Sequence, residues 1–149
     1  MRNSINLNGT WQLYHCPDGQ GSLETLDDAI WLDAAVPGCA HYDLLKQGKI
    51  EDPFFEKNTR KLYELEQHEW WYRTSFNVPA DFYGDKLELD FEGLDTFATV
   101  WLNGVEVGKH ENMFIPVAFD VTPVVKPGVA NELVVRLASP LVSVEGLPL

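Results

Sequence analysis

From Trp70 onward the chain alternates apolar and polar residues with a period of two. Tyr72, Thr74, Phe76 and Val78 alternate with Arg73, Ser75 and Asn77; Leu87, Leu89 and Phe91 alternate with Lys86, Glu88 and Asp90; Leu133, Val135 and Leu137 alternate with Glu132 and Arg136. Successive strand side chains point to opposite faces, so each run predicts a strand with one face on a core and one toward solvent. The stretch Thr96 to Leu102 carries bulk on both faces, Phe97 and Trp101 on one and Ala98, Val100 and Leu102 on the other. It is expected to be a central, doubly covered strand. Asn103-Gly104 follows directly and then Val105-Glu-Val-Gly-Lys-His, which predicts a tight hairpin because both turn positions favour positive φ.

The first half is less regular. Leu7 to His15 reads as an entering strand and Trp31 to Val36 as a second, closed by Pro37-Gly38. His41 to Gln47 fits one short helix stopped by Gly48. Asp52 to Glu69 is a long polar and aromatic stretch without period, and Pro140 to Leu149 reads as an apolar tail without a partner strand. The pattern predicts an all-β fold, a β-sandwich or jelly roll, occupying residues 1–140 with a tail over 141–149.

The 149 residues suit one domain with a true core. A formal net charge of −12 argues against nucleic acid and anionic membranes, which need basic surfaces. No apolar run is long enough to cross a bilayer. The N-terminus lacks the apolar stretch of a signal peptide, so a cytoplasmic location is expected unless a signal has been trimmed. Cys16 and Cys39 form no Cys-x-x-Cys motif and read as free thiols, with one disulfide between them as the alternative.

Candidate chemistry is sparse. Acid–base chemistry by paired carboxyl groups needs two of them in one pocket. Glu88, Asp90 and Glu132 alternate outward, and Glu64, Glu66 and Glu69 fall in the charged stretch, so all six are expected on solvated surface. His15, His41, His68 and His110 show no metal-ligand spacing, and Ser139 and Cys39 have no nucleophile motif around them. No catalytic residue, metal or cofactor is expected. Trp70 and Trp71 must point to opposite faces. One should enter the core; the other should be exposed or lie under the loop preceding it, unless both are core. Phe54, Phe55, Met113 and Phe114 sit in loop contexts, where aromatic and apolar residues mark interaction surfaces.

Several stretches, in order, resemble the opening of β-mannosidases in glycoside hydrolase family 2. They are Ala35-Val-Pro-Gly-Cys-Ala-His, Gly48-Lys-Ile-Glu-Asp-Pro-Phe-Phe with Asn58, Trp70-Trp-Tyr-Arg-Thr-Ser-Phe, Leu89 to Gly104, Asn112-Met-Phe-Ile-Pro, Phe119-Asp-Val-Thr and Asn131-Glu-Leu-Val-Val-Arg. The resemblance implies a galactose-binding-domain-like jelly roll preceding a (β/α)8 barrel that carries two catalytic Glu. That barrel, and a carbohydrate substrate, are the implied partners. It also implies that the sandwich continues for a strand or two beyond Leu149, leaving a bare edge through which the isolated chain would dimerise. Asn58, Trp70, Asn112 and Phe114 are the residues it implies near the entrance of the active site. Alternatives are the same domain from a family 2 β-galactosidase or β-glucuronidase, an independent carbohydrate-binding module, or a purely structural sandwich.

Overall fold

The computed structural model describes residues 3–50, 62–82 and 84–144. Eight strands are found among them: β1 (Gly9–Pro17), β2 (Leu32–Val36), β3 (His68–Asn77), β4 (Glu88–Phe91), β5 (Phe97–Leu102), β6 (Val105–His110), β7 (Val117–Asp120) and β8 (Ala130–Ala138). A six-stranded antiparallel sheet has the order β2-β1-β3-β8-β5-β6, and β4 pairs with β7 in a second, two-stranded sheet. The fold is the expected all-β sandwich.

The core forms where the inward residues of both sheets meet. Trp11, Ala98, Val100, Leu102, Leu133 and Val135 from the large sheet pack with Leu89 and Phe119 from the small one. Each fully buried aliphatic side chain contributes roughly 1.5–3 kcal/mol relative to exposure. The Trp11 indole nitrogen donates to the Leu7 carbonyl at 2.8 Å, so burial leaves it satisfied. Toward β2 the inward face is closed by helix α1 (Ala40–Lys46), whose Leu44 is buried with Leu13, Ala34 and Trp70. That helix lies one residue before the expected span and stops at Gly48 (φ +69°).

Asn103 and Gly104 adopt φ of 52° and 78°, as the hairpin signal requires. The Asn103 side chain has a second task, which the pattern does not reveal. Its Nδ2 donates to the Oδ1 of the fully buried Asn131 at 2.8 Å. Asn131 in turn accepts from Lys126 N and donates to the carbonyls of Lys126 and Val129. A buried amide with all these partners pins the β7–β8 connection to the hairpin.

Part of the outward face of the large sheet is also covered. Trp71 is 1% exposed and stacks on Trp101 with ring centroids 5.4 Å apart. Leu26, on a 3-10 turn over Glu24–Asp28, buries Trp71 together with Val134, and Trp101 stays half-buried. Thus both tryptophans of the Trp70-Trp71 pair are buried on opposite faces. Among the described residues the cover on Trp71 comes from the β1–β2 connection, through Leu26, Leu23 and Trp31. In Thr96 to Leu102 the face of Ala98, Val100 and Leu102 is buried, while that of Phe97 and Trp101 is only half-buried, and the strand lies next to edge strand β6; β3 and β8 are the central strands.

Glu69 departs from its expected place on solvated surface. It lies on β3, on the same face as Trp71, and is 0% exposed. Oε1 accepts from Gly21 N at 2.6 Å and from the Cys16 thiol at 3.2 Å, and Oε2 accepts from Arg136 Nε. Gly21 is needed there, because a Cβ would sit 2.5 Å from Trp71 Nε1 and 2.7 Å from Glu69 Oε1. Arg136 also reaches Asp18 at 3.6 Å, and Asp18 Oδ1 accepts from Ser139 N at 2.8 Å. Ser139 then starts a helix, α2 (Pro140–Val144), by accepting from Val142 N while donating to the Glu66 carbonyl. The expected tail thus begins as a docked helical turn. Removing one member of a buried ion pair costs about 3–5 kcal/mol, because the other charge is left unpaired. Arg136→Ala should lose that much in urea unfolding, and adding Glu69→Gln should recover part of the loss.

Both cysteines are free, Cys16 buried and Cys39 exposed. Burial, then the Glu69 carboxylate, push the Cys16 thiol up to about 11, which keeps it protonated and unreactive. Under native conditions a thiol reagent should therefore modify Cys39 promptly and reach Cys16 only on denaturation. Equal rates for both would contradict this packing.

Candidate functional site

One register row crosses five strands. His15 lies opposite Trp70, Trp70 opposite Leu137, Leu137 opposite Ala98, and Ala98 opposite His110. With strands about 4.8 Å apart, the backbones at Trp70 and His110 are about 14 Å apart. The row therefore brings Trp70 to the same end of the sheet as the β6–β7 loop, which holds Asn112 and Phe114. Asn58 lies outside the described residues.

The loop's shape is set by its own polar groups. His110 Nε2 lies 2.6 Å from the Asn112 carbonyl and 3.0 Å from the Ile115 carbonyl. A proton on Nε2 is donated to both oxygens and closes the loop. Asn112 Oδ1 accepts from Phe114 N at 2.9 Å, the local turn that Asn side chains favour. Both contacts turn Met113, Phe114 and Ile115 outward, at 40%, 83% and 54% exposure. Thr96 Oγ1, from the β4–β5 connection, reaches Met113 Sδ at 3.9 Å. The result is an apolar tip of three consecutive residues on a braced loop. Asn112 is spent on shaping it, and Phe114 is what it displays.

Trp70 occupies a different setting. It is 9% exposed and packs in the core beneath α1. Its ring lies 4.8 Å from His15 and 5.6 Å from His41, and His15 lies 5.0 Å from His68 between ring centroids. Pairing of β1 with β3 brings His15 and His68 together, and α1 adds His41, so three histidines scattered in sequence meet here. The Nδ1 atoms of His15 and His68 are 2.8 Å apart, so one donates its proton and the other must accept. Among the described residues no group of three His, Cys, Asp or Glu side chains could hold a metal ion. The legible signal for this cluster was the inward phase of His15 on β1; its partner His68 fell in the stretch without period.

Burial, then repulsion from His68 and His41, hold His15 below the ordinary imidazole range; burial lowers His68 too, against the pull of Glu64. A folded value below the unfolded one makes the unfolded chain the better proton acceptor. Stability should be level above about pH 6.5 and fall as pH drops below it. Glu69 adds a later fall. Burial raises its pKa, but Arg136, the Gly21 N–H and Cys16 outweigh burial and hold the carboxyl low. Its contribution is present above the ordinary carboxylate range and is lost as pH falls through the lower folded value. Urea midpoints measured from pH 8 downward should show both steps, and His68→Gln should diminish the first alone.

Three comparisons place the chain among known proteins. A family model for the glycosyl hydrolase 2 galactose-binding domain-like domain matches residues 11–146. The β-mannosidase of Capra hircus is 38% identical over 140 residues, 93% of this chain and 15% of that protein. β-Mannosidase B of Thermothelomyces thermophilus is 42% identical over 69% of this chain and 12% of its own length. Among solved structures, β-D-mannosidase from Dictyoglomus thermophilum superposes with a TM-score of 0.82 at 37% identity, over 95% of this chain and 16% of that one. A β-glucuronidase from Ruminococcus gnavus follows at 0.69 and 26% identity, over 93% of this chain and 23% of that one. The chain spans about 15% of the length of the first curated relatives. With the sandwich, its register and a family match over nearly its whole length, the chain belongs to the glycosyl hydrolase 2 galactose-binding domain-like family.

Proposed function

We propose that this chain serves as the non-catalytic N-terminal sandwich of a retaining β-mannosidase-type glycoside hydrolase that acts on terminal β-mannosides. The observation that carries the reading is the match to β-mannosidases over 93% of this chain but 15% of theirs. The identity to the mannosidase structure, 37% against 26% for the glucuronidase, favours mannose over the related specificities. The carboxylates agree with a supporting role. Among the described residues the buried ones are Asp43, on α1 on the inward side and accepting from Ala35 N, and Glu69, on the outward side and tied to Arg136. They cannot act as a pair across one glycosidic bond.

In this reading the apolar tip Met113–Phe114–Ile115 meets a (β/α)8 catalytic domain beside its substrate entrance. Asn112 shapes the tip and Trp70 backs the same end of the sheet, with Asn58 completing the set. The strand edges of an isolated chain, unprotected by that domain, would support weak self-association.

The test is hydrolysis of aryl β-mannoside by the full-length protein and by the 149-residue chain. The full-length protein should turn over and the short chain should not. Cleavage of the β-glucuronide or β-galactoside with the β-mannoside left intact would overturn the specificity. Phe114→Ala in the full-length protein should raise KM several-fold with little change in thermal stability, since its ring is 83% exposed.

A further inference from the structure

The ladder between β1 and β3 ends early. β1 pairs with β3 from Pro17 back to Gln12, opposite Arg73, and then continues to Gly9 with β2 as its remaining partner. β3 runs on past Arg73 to Asn77, paired to β8. The two strands splay apart, and a cleft of about 360 Å³ opens between Thr10-Trp11-Gln12 on one side and Arg73-Thr74-Ser75 on the other, with Glu132 at its rim. Its volume falls within the range of small-molecule sites. Beyond Gln12 toward Gly9, β1 has no ladder partner on its β3 side, and unpaired backbone groups seek partners.

The side chains add convergent polar chemistry. Thr10, Gln12, Arg73, Ser75 and Glu132 share the outward face by strand phase and register. Arg73 is fixed: Nε donates to Gln12 Oε1 at 2.7 Å, and its guanidinium carbon lies 3.9 Å from the centre of the Trp31 ring. That hold aims the guanidinium without using its two terminal nitrogens, which have no hydrogen-bond partner among the described residues. A second cavity of about 180 Å³ adjoins the first and shares Arg73 and Glu132; its wall includes Asp27 and the half-buried Trp101 ring.

We propose that this double cleft binds a neutral oligosaccharide of at least two hexose units. One unit lies in the wedge on hydroxyl, amide and backbone groups, and the next lies against Trp101. Trp11 is the one apolar residue lining the wedge, so an apolar ligand would leave its polar groups unpaired. The double cleft holds one cation, Arg73, against two carboxylates, Glu132 and Asp27, and with a net charge of −12 it repels anionic ligands. Hydroxyl groups, which donate and accept at once, suit a cleft lined by both an Arg and a Glu, and a tryptophan face suits the apolar side of a sugar ring. This site does not depend on the catalytic reading above: it is far from the β6–β7 tip and concerns the 149-residue chain by itself.

The test is amide-resolved NMR titration of the 149-residue chain with β-1,4-mannobiose, cellobiose, mannose and glucuronate. A neutral disaccharide should saturate in the millimolar range, with shifts centred on Thr10–Gln12 and Arg73–Ser75. Glu132→Ala, at an exposed side chain, should weaken binding about tenfold, and Ser75→Trp should abolish it by filling the wedge, both at unchanged melting temperature. Mannose should bind more weakly than mannobiose. The inference is overturned by an absence of shifts, by shifts centred on residues 110–116, by affinity unchanged in both variants, or by stronger binding of glucuronate. None of these outcomes bears on whether the full-length protein cleaves β-mannosides.

Discussion

A carboxylate without access to water organises the outward half of this fold. Glu69 is completely buried on β3, and its charge is tolerable only because each oxygen has partners: Arg136 on β8, the Gly21 amide, and the Cys16 thiol on β1. A buried ion demands such compensation. That demand brings in the β1–β2 connection, since Gly21 must come close enough to donate. The same connection carries Leu26 and Trp31 over Trp71 and Trp101. Trp31 in turn fixes Arg73 by lying beneath its guanidinium. One ion pair thereby sets the backbone path that covers the sheet and shapes the wall of the cleft.

The fold was largely legible because strands announce themselves by alternation. The runs around Tyr72, Leu89 and Leu133 became β3, β4 and β8, and Asn103-Gly104 became the hairpin it signalled. Legibility failed where an element's stability comes from distant partners. α2 was read as tail because its initiating contacts, Ser139 to Glu66 and to Asp18, join residues far apart in sequence. Glu69 was misplaced because its residue type suggests solvent, although counting back from Trp71 puts it on a covered face. β7 is short, and its pairing with β4 was invisible to local pattern.

The site was less legible than the fold. Asn112 and Phe114 stood out as a loop pair, and the structure gives each a distinct job, one bracing and one displayed. Trp70 could be placed on a strand face but not at an end of the sheet, because that position depends on register across five strands. The histidine cluster around it has the same origin: His15 and His68 meet only when β1 and β3 pair antiparallel. The splayed wedge is a still subtler case, since it arises where a strand changes neighbours while its sequence keeps one continuous pattern.

Ser139 stands where the chain leaves β8, and it is tied sideways to Asp18 and Glu66. The attachment has a mechanical meaning. Tension on the chain beyond residue 140 would not peel β8 from its neighbours one hydrogen bond at a time. It would first meet an anchor on the β1 side of the sheet and be shared as shear across β1, β3 and β8, so the domain is built to transmit force as a unit.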